Sequence, residues 1–192
     1  MYRRHFLTAL AATLAVRPAW AAPQQYILDV EQSVVGFSYV LNGSKVNGRM
    51  PVKSADIALD IDRLENSNVT AVLDVRRAKA GPFYATEAMK DASVLDTRMF
   101  PEIRFQSDEI ERVKGGARIG GDITIRDVTR PILLEARLFR QVGTEAGDRS
   151  RLSILMTGDI DRRDFGATGF PRLVGPEIGL KILTRVTLES AR

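Results

Sequence analysis

The chain has 192 residues, with 28 lysines and arginines against 24 acidic residues, one histidine and no cysteine. The absence of cysteine excludes disulfides, thiol nucleophiles and zinc sites built on thiolates. The one histidine, His5, and the one tryptophan, Trp20, both lie in the first 21 residues. Without that segment the chain has no imidazole, which excludes Ser-His-Asp and Cys-His catalytic systems.

Residues 1–21 have the layout of a cleavable signal peptide. A basic start precedes the apolar run of residues 6–16, and the small-x-small sequence Ala-Trp-Ala follows at residues 19–21. The apolar run is too short to cross a bilayer core of roughly 30 Å as a helix. An arginine pair near the start also resembles a twin-arginine signal, so the Sec and twin-arginine routes both stay open. We predict export to the periplasm, cleavage near Ala21 and a mature domain at residues 22–192.

Removal of the signal segment changes the charge balance of the protein. The segment holds three arginines and no acidic residue, so most of the formal net charge of +4 disappears with it. A nearly neutral domain gives no support to nucleic-acid binding, which depends on basic charge. We predict no nucleic-acid partner, no metal and no cofactor other than a bound lipid.

The mature sequence consists of short segments in which apolar and polar residues alternate. This period of two is typical of β-strands with one buried face. Asn42-Gly43 is a strong hairpin signal, and Gly115-Gly116 is a second one. About eight such segments predict an antiparallel sheet with one apolar face. Its inward positions include Val35, Phe37, Tyr39, Leu41, Ile57, Leu59, Ile61, Val69, Ala71, Leu73, Val75, Ile103, Phe105, Ile119, Ile123, Ile125, Ile132, Leu134, Ala136, Leu138, Leu152, Ile154, Met156, Ile178, Leu180, Ile182, Val186 and Leu188.

Residues 83–94 interrupt the alternation and are rich in helix formers. Pro82 precedes them, where proline suits the first turn of a helix. The pattern predicts one short helix lying on the sheet, with Phe83, Ala85, Ala88 and Met89 on a shared face.

A sheet of this kind closes either as a packed sandwich or as a barrel. A barrel removes exposed strand edges, and eight strands leave an interior that holds one small ligand. Periodicity alone does not choose between a solid core and a cavity.

Four motifs in a fixed order resemble the YceI-like family of secreted lipid-binding proteins. They are the opening strand at residues 26–37, the Phe-Pro step within 94–105, the glycine-led strand with a Val-Thr-Arg-Pro turn at 121–131, and Arg-Arg-Asp-Phe-Gly at 162–166. The resemblance runs over nearly the whole mature chain. It implies an all-β fold, an eight-stranded antiparallel lipocalin-like barrel with one short helix near the mouth. It also implies a tunnel for a polyprenyl chain or another long apolar molecule.

This chain departs from the family pattern at three places. Many members have histidine where this chain has Gln32 and Ala88, so a ligand whose head group is selected by polar contacts at these positions is expected to differ from theirs. Residues 80–84 also depart from the common pattern, which predicts a reshaped entrance.

The predicted ligand-binding residues combine inward strand positions, the helix and the Arg-Arg-Asp-Phe-Gly element. Arg162 and Asp164 are interpreted as a bracing ion pair, with contact between Arg162 and a phosphate as the alternative. For the aromatic residues, core packing stays open beside tunnel lining. The full set is Phe37, Tyr39, Phe83, Tyr84, Met89, Phe105, Ile123, Leu134, Met156, Arg162, Asp164, Phe165 and Ile182.

The function predicted from these features is a non-enzymatic carrier or reservoir for a polyisoprenoid, an isoprenoid quinone or a similar lipid. One alternative is a barrel-fold enzyme acting on an isoprenoid or fatty-acyl ligand, with Asp164, Tyr39 or Lys90 as acid–base groups. Another is an accessory protein that docks to a membrane redox partner. Transient contact with a membrane or membrane protein and a homodimer both stay open as partner predictions.

Overall fold

The computed structural model describes residues 22–141, 143, 145 and 147–189. The predicted signal peptide at residues 1–21 lies outside the described residues. Within them, the chain forms ten strands, one α-helix and three short 3-10 turns. The strands are β1 (Gln24–Leu28), β2 (Val34–Leu41), β3 (Ser44–Met50), β4 (Val52–Leu59), β5 (Asn68–Asp74), β6 (Glu102–Val113), β7 (Gly116–Ile125), β8 (Val128–Arg140), β9 (Arg151–Asp161) and β10 (Glu177–Leu188); the helix α1 is Phe83–Lys90, and the 3-10 turns are Leu64–Asn66, Val75–Arg77 and Arg162–Phe165.

The ten strands form a closed antiparallel barrel with eight staves. A stave is one strand position around the barrel, and it is occupied by one strand or by two consecutive strands. β1 and β2 pair in succession with β10, so that Tyr26 lies opposite Leu188 and Val35 lies opposite Ile182. β3 and β4 form the next stave and are interrupted at Pro51, which has no N–H to donate. β5 to β10 follow as sequential neighbours, and the pairing of β10 with β1 closes the barrel. The predicted eight-stranded barrel with one short helix is confirmed.

Two-residue turns join several of the staves. Asn42 and Gly43 have φ values of 53° and 79°, as a type I′ hairpin turn requires. The second predicted hairpin is shifted by one residue, because Gly115 has φ 87° in the turn while Gly116 already begins β7. The turn between β7 and β8 has positive φ at Arg126 and Asp127. The turn predicted at Val-Thr-Arg-Pro is therefore wrong in position, because residues 128–131 already belong to β8.

One end of the barrel is sealed by its own side chains. The sealing cluster consists of Tyr26, Ile57, Leu59, Leu152 and Val186. Val186 is fully buried, and every member comes from β1, β4, β9 or β10. No ligand can therefore pass through this end without moving the core.

Hydrogen bonds and an ion pair hold the loops at the sealed end in place. The Tyr26 hydroxyl donates to the Arg149 carbonyl at 3.0 Å. The Arg149 guanidinium donates two bonds to the carboxylate of Asp62 at 2.8 and 2.9 Å. The β8–β9 connection is thereby tied to the segment that follows β4.

The helix α1 lies at the opposite end, between β5 and β6. It begins after Pro82 as predicted but ends at Lys90, four residues earlier than the composition indicated. Asp91 stops it with an extended backbone conformation. No helix among the described residues is long and apolar enough to span a bilayer.

Candidate ligand-binding cavity

The middle of the barrel encloses a cavity of about 380 Å³. Its inward side chains do not meet on the axis, since Phe37, Phe105 and Leu180 point inward yet are only partly buried. A solid core would bury them. The structure therefore favours a cavity over the solid core, the two alternatives that periodicity left open.

The wall of the cavity is almost entirely hydrocarbon. Every stave contributes to it, together with α1 and the segment between β9 and β10. Polar side-chain atoms come only from Tyr39, Tyr84, Arg162 and Thr184 among the residues that line it. Such a wall is suited to an apolar molecule, because an unpaired polar group would lose its hydration there.

Glycines in the strands give the aromatic wall residues room to lie against the sheet. A Cβ on Gly48 would lie 2.2 Å from the ring of Phe37, and one on Gly121 would lie 2.9 Å from the ring of Phe105. Phe37 also stacks against Tyr39, with ring centroids 6.2 Å apart. The rings therefore line the wall and leave the axis open.

The cavity opens at the end that carries α1. Of all its lining residues, only Tyr84, Phe170 and Leu173 are exposed, and they lie on α1 and on residues 166–176. The pKa of the Tyr39 hydroxyl is raised, chiefly by burial and secondly by the neighbouring Tyr84 hydroxyl. Tyr84 thus lies at the mouth and Tyr39 just inside it.

Arg162 holds one side of the mouth in place. Its side chain is 7% exposed, and burial lowers the pKa of its guanidinium. It donates hydrogen bonds of up to 3.1 Å to four carbonyl oxygens in the segment between β9 and β10, those of Ala167, Gly169, Val174 and Gly175.

The predicted ion pair between Arg162 and Asp164 is wrong. β9 ends at Asp161, and the following 3-10 turn sends residues 162 and 164 in different directions. Asp164 is exposed and does not line the cavity. The ion pair at this turn is between Arg163 and Asp161, and it lowers the pKa of Asp161 to about 2.

The chain bends at Phe165-Gly166. Gly166 has φ 70°, a conformation that glycine adopts without strain, and Phe165 is buried in the wall. The Arg126 guanidinium donates to the carbonyls of Gly166 and Val94, which ties the bend to the segment after α1.

The structure places eleven of the thirteen predicted site residues on the cavity wall; contact with a ligand stays a prediction. The exceptions are Phe83 and Asp164. Phe83 is 81% exposed because a helix turns about 100° per residue, which places it opposite the face formed by residues 84, 85, 88 and 89. The wall residues are Phe37, Tyr39, Tyr84, Met89, Phe105, Ile123, Leu134, Met156, Arg162, Phe165 and Ile182.

Some wall residues lie outside the alternating segments and were not predicted from the sequence. Phe170, Leu173 and Val174 belong to residues 166–176, an apolar stretch with one charged residue. Its low charge was a usable signal, because a solvated loop of that length normally carries more polar side chains.

The two departures from the family histidines lie in different environments. Ala88 lines the cavity, whereas Gln32 is exposed and donates to the Asp29 carboxylate at 2.8 Å. Only Ala88 is therefore placed to influence what the cavity holds.

A closed antiparallel barrel with an apolar interior open at one end defines a class of small-molecule-binding folds. The chain matches the YceI-like domain over residues 26–188, and it belongs to the YceI-like family. It is 24% identical over 169 residues to a UPF0312 protein of Vibrio parahaemolyticus, covering 86% of this chain and 88% of that one.

Solved structures show the same fold at low sequence identity. BcnA of Burkholderia cenocepacia superposes with a TM-score of 0.72 at 15% identity, over 83% of this chain and 99% of that one. A polyisoprenoid binding domain from Saccharophagus degradans superposes with a TM-score of 0.61 at 12% identity, over 86% and 99%.

Proposed function

We propose that this protein holds one long apolar molecule in its barrel and serves as a carrier or reservoir for it in the periplasm. The ligand class is a polyisoprenoid, an isoprenoid quinone or a similar lipid. The observation that carries the proposal is the open cavity with its hydrocarbon wall. The Saccharophagus degradans relative, described as a polyisoprenoid binding domain, supports the same ligand class.

The wall indicates that the buried part of the ligand is uncharged. The donors of Arg162 are directed at four backbone carbonyls, and the Tyr39 hydroxyl donates to the Ala80 carbonyl at 2.6 Å. Thr184 donates to the Ile154 carbonyl at 3.4 Å. Because these groups already form hydrogen bonds within the protein, the polar end of the ligand is expected to lie at the mouth beside Tyr84.

Hydrophobic transfer is the main contribution to the binding of such a ligand. Each buried methylene contributes roughly 0.8 kcal/mol, so about ten carbons contribute about 8 kcal/mol before the cost of association. Selectivity then follows from the fit of the chain to the cavity, since few polar groups are available to choose between ligands.

The arrangement of polar groups favours containment over catalysis. Asp164 is exposed away from the cavity, and Lys90 pairs with Glu87 at 3.0 Å. Tyr39 donates to a backbone carbonyl. The acid–base groups that an enzyme would require are thus held apart. No group of three or more metal-ligating side chains occurs among the described residues.

Native mass spectrometry tests the proposal on protein purified without detergent from a Gram-negative periplasm. We expect a one-to-one complex that releases a long-chain apolar molecule on organic extraction. The delipidated protein should rebind a polyprenol or quinone. A bare polypeptide mass, together with no uptake of either compound after delipidation, would contradict the proposal.

Ligand affinity is expected to stay constant between about pH 5 and pH 9. Residues 22–192 contain no histidine, and burial raises the pKa of Tyr39 away from this range. Arg162 stays charged because arginine does not deprotonate in proteins. Displacement of a fluorescent apolar probe at several pH values measures this. A steep change in affinity near neutrality would show that a titrating group contacts the ligand.

A further inference from the structure

Three segments form a continuous ring around the open end of the cavity. This mouth rim consists of residues 40–47, 79–90 and 166–176. Backbone bonds join the first to the third, from Asn42 to Leu173 at 2.8 Å and from Gly175 to Val40 at 3.0 Å.

Further bonds join the second segment of the mouth rim to its neighbours. Arg49 on β3 and Lys79 exchange two backbone bonds of 2.8 Å. On the other side, the Gly169 N–H donates at 2.7 Å to the carbonyl of Ser93, just after α1. The exposed side chains of all three segments therefore surround one opening.

The mouth rim presents large apolar side chains to solvent. Phe83 is 81% exposed, Tyr84 is 67% exposed, Leu173 is 48% exposed and Phe170 is 42% exposed. Clustered exposed side chains of this size mark interaction sites. Phe83 contributes to neither the cavity wall nor the buried core, so the fold gives it no role of its own.

The charged residues of the mouth rim are mostly basic. They are four lysines or arginines and one acid, Glu87, which pairs with Lys90. Within the described part of the chain, no carboxylate forms an ion pair with the other three, Lys45, Lys79 and Arg172. Aromatic side chains combined with basic ones are typical of proteins that bind the surface of an anionic bilayer.

We propose that the mouth rim docks on a bilayer with anionic headgroups, with Phe83 entering the interface and Lys45 and Arg172 contacting the headgroups. The partner is a lipid surface because the apolar and basic side chains together surround an opening that leads to a hydrocarbon-lined cavity. Docking would let the ligand pass between bilayer and barrel without crossing water, and this consequence rests on the proposed function.

Vesicle co-sedimentation of the mature protein tests the docking. We expect binding to vesicles of phosphatidylcholine and phosphatidylglycerol at least tenfold stronger than binding to phosphatidylcholine alone. The variant Phe83→Ser should weaken binding about tenfold, as should the double variant Lys45→Gln and Arg172→Gln at low salt. None of these three side chains lines the cavity, so ligand retention should stay unchanged.

Matched controls lie away from the mouth. Phe139→Ser removes a half-exposed aromatic from the outside of β8, and Lys114→Gln removes a charge from the β6–β7 turn. Both should bind vesicles like the unaltered protein. Equal losses in variants and controls, or no binding of the unaltered protein to anionic vesicles, would overturn the docking surface. The docking surface would also be overturned if the unaltered protein self-associates and Phe83→Ser abolishes self-association without changing vesicle binding. The mouth rim would then bind a second copy of this chain.

The same samples separate this inference from the proposed function. If the protein retains an extractable lipid but does not bind anionic vesicles, only the proposed docking surface is overturned. Protein that binds vesicles through the mouth rim yet retains no lipid contradicts the carrier function and leaves the docking surface standing.

Discussion

Replacement of Ala71 by phenylalanine is expected to weaken ligand binding roughly thirtyfold. Ala71 lies on β5 in the cavity wall, directly opposite Phe105 on β6 and Ala55 on β4. An added ring would occupy space that otherwise holds about three ligand carbons, which costs about 2 kcal/mol of binding. The free energy of unfolding of the ligand-free protein should not fall, because the ring fills empty space. Titration of delipidated protein with a polyprenol, beside urea denaturation, measures both quantities.

The neighbouring residue provides a matched control for this substitution. Val72 is next on β5 and points to the opposite face of the sheet, so Val72→Phe places an aromatic ring outside the barrel. Its ligand affinity should equal that of the unaltered protein. Equal affinities for Ala71→Phe and the unaltered protein would show that the ligand does not occupy the cavity.

Replacement of Arg162 by methionine is expected to lower the free energy of unfolding by about 3 kcal/mol. Methionine keeps much of the apolar stem but leaves four backbone carbonyls without their donor. Residues 166–176 should then loosen and release ligand faster, since Phe170 and Leu173 line the mouth from this segment. Urea denaturation of ligand-free protein and the dissociation rate of a bound probe are the two measurements.

Two further variants separate the bonds of Arg162 from its charge. Arg162→Lys should recover only part of the stability, because an ammonium lacks the planar fork that reaches several carbonyls at once. Arg163→Met removes the adjacent exposed arginine and should leave stability nearly unchanged. If Arg162→Met were as stable as Arg163→Met, the bonds to the four carbonyls would have no structural role.

The architecture of the barrel was largely predictable because each inward strand position repeats with a period of two. The alternation through Phe37, Phe105 and Ile182 places each of them on the inner face, and the structure does the same. The closure of the barrel was harder to predict from residue patterns, because the pairing of Tyr26 with Leu188 joins segments that are far apart in the sequence. The resemblance to a known family supplied that information.

The mouth was harder to predict because it is built from irregular backbone. Phe170 belongs to no periodic segment, so no face could be assigned to it in advance. The four partners of Arg162 are backbone carbonyls, whose positions depend on the path of the loop and not on residue type. The misplacement of Phe83 had a different cause, an incorrect helical phase, which a count of about 100° per residue corrects.

The position of a bound ligand tests the account most directly. A crystal structure of protein purified from a Gram-negative periplasm without detergent would show it. We expect continuous elongated density from Ile57 near the sealed end to Tyr84 at the mouth, with the polar end of the molecule outermost. The account would be contradicted if inward side chains such as Phe37 and Leu180 met on the barrel axis and left neither space for a ligand nor a path to solvent.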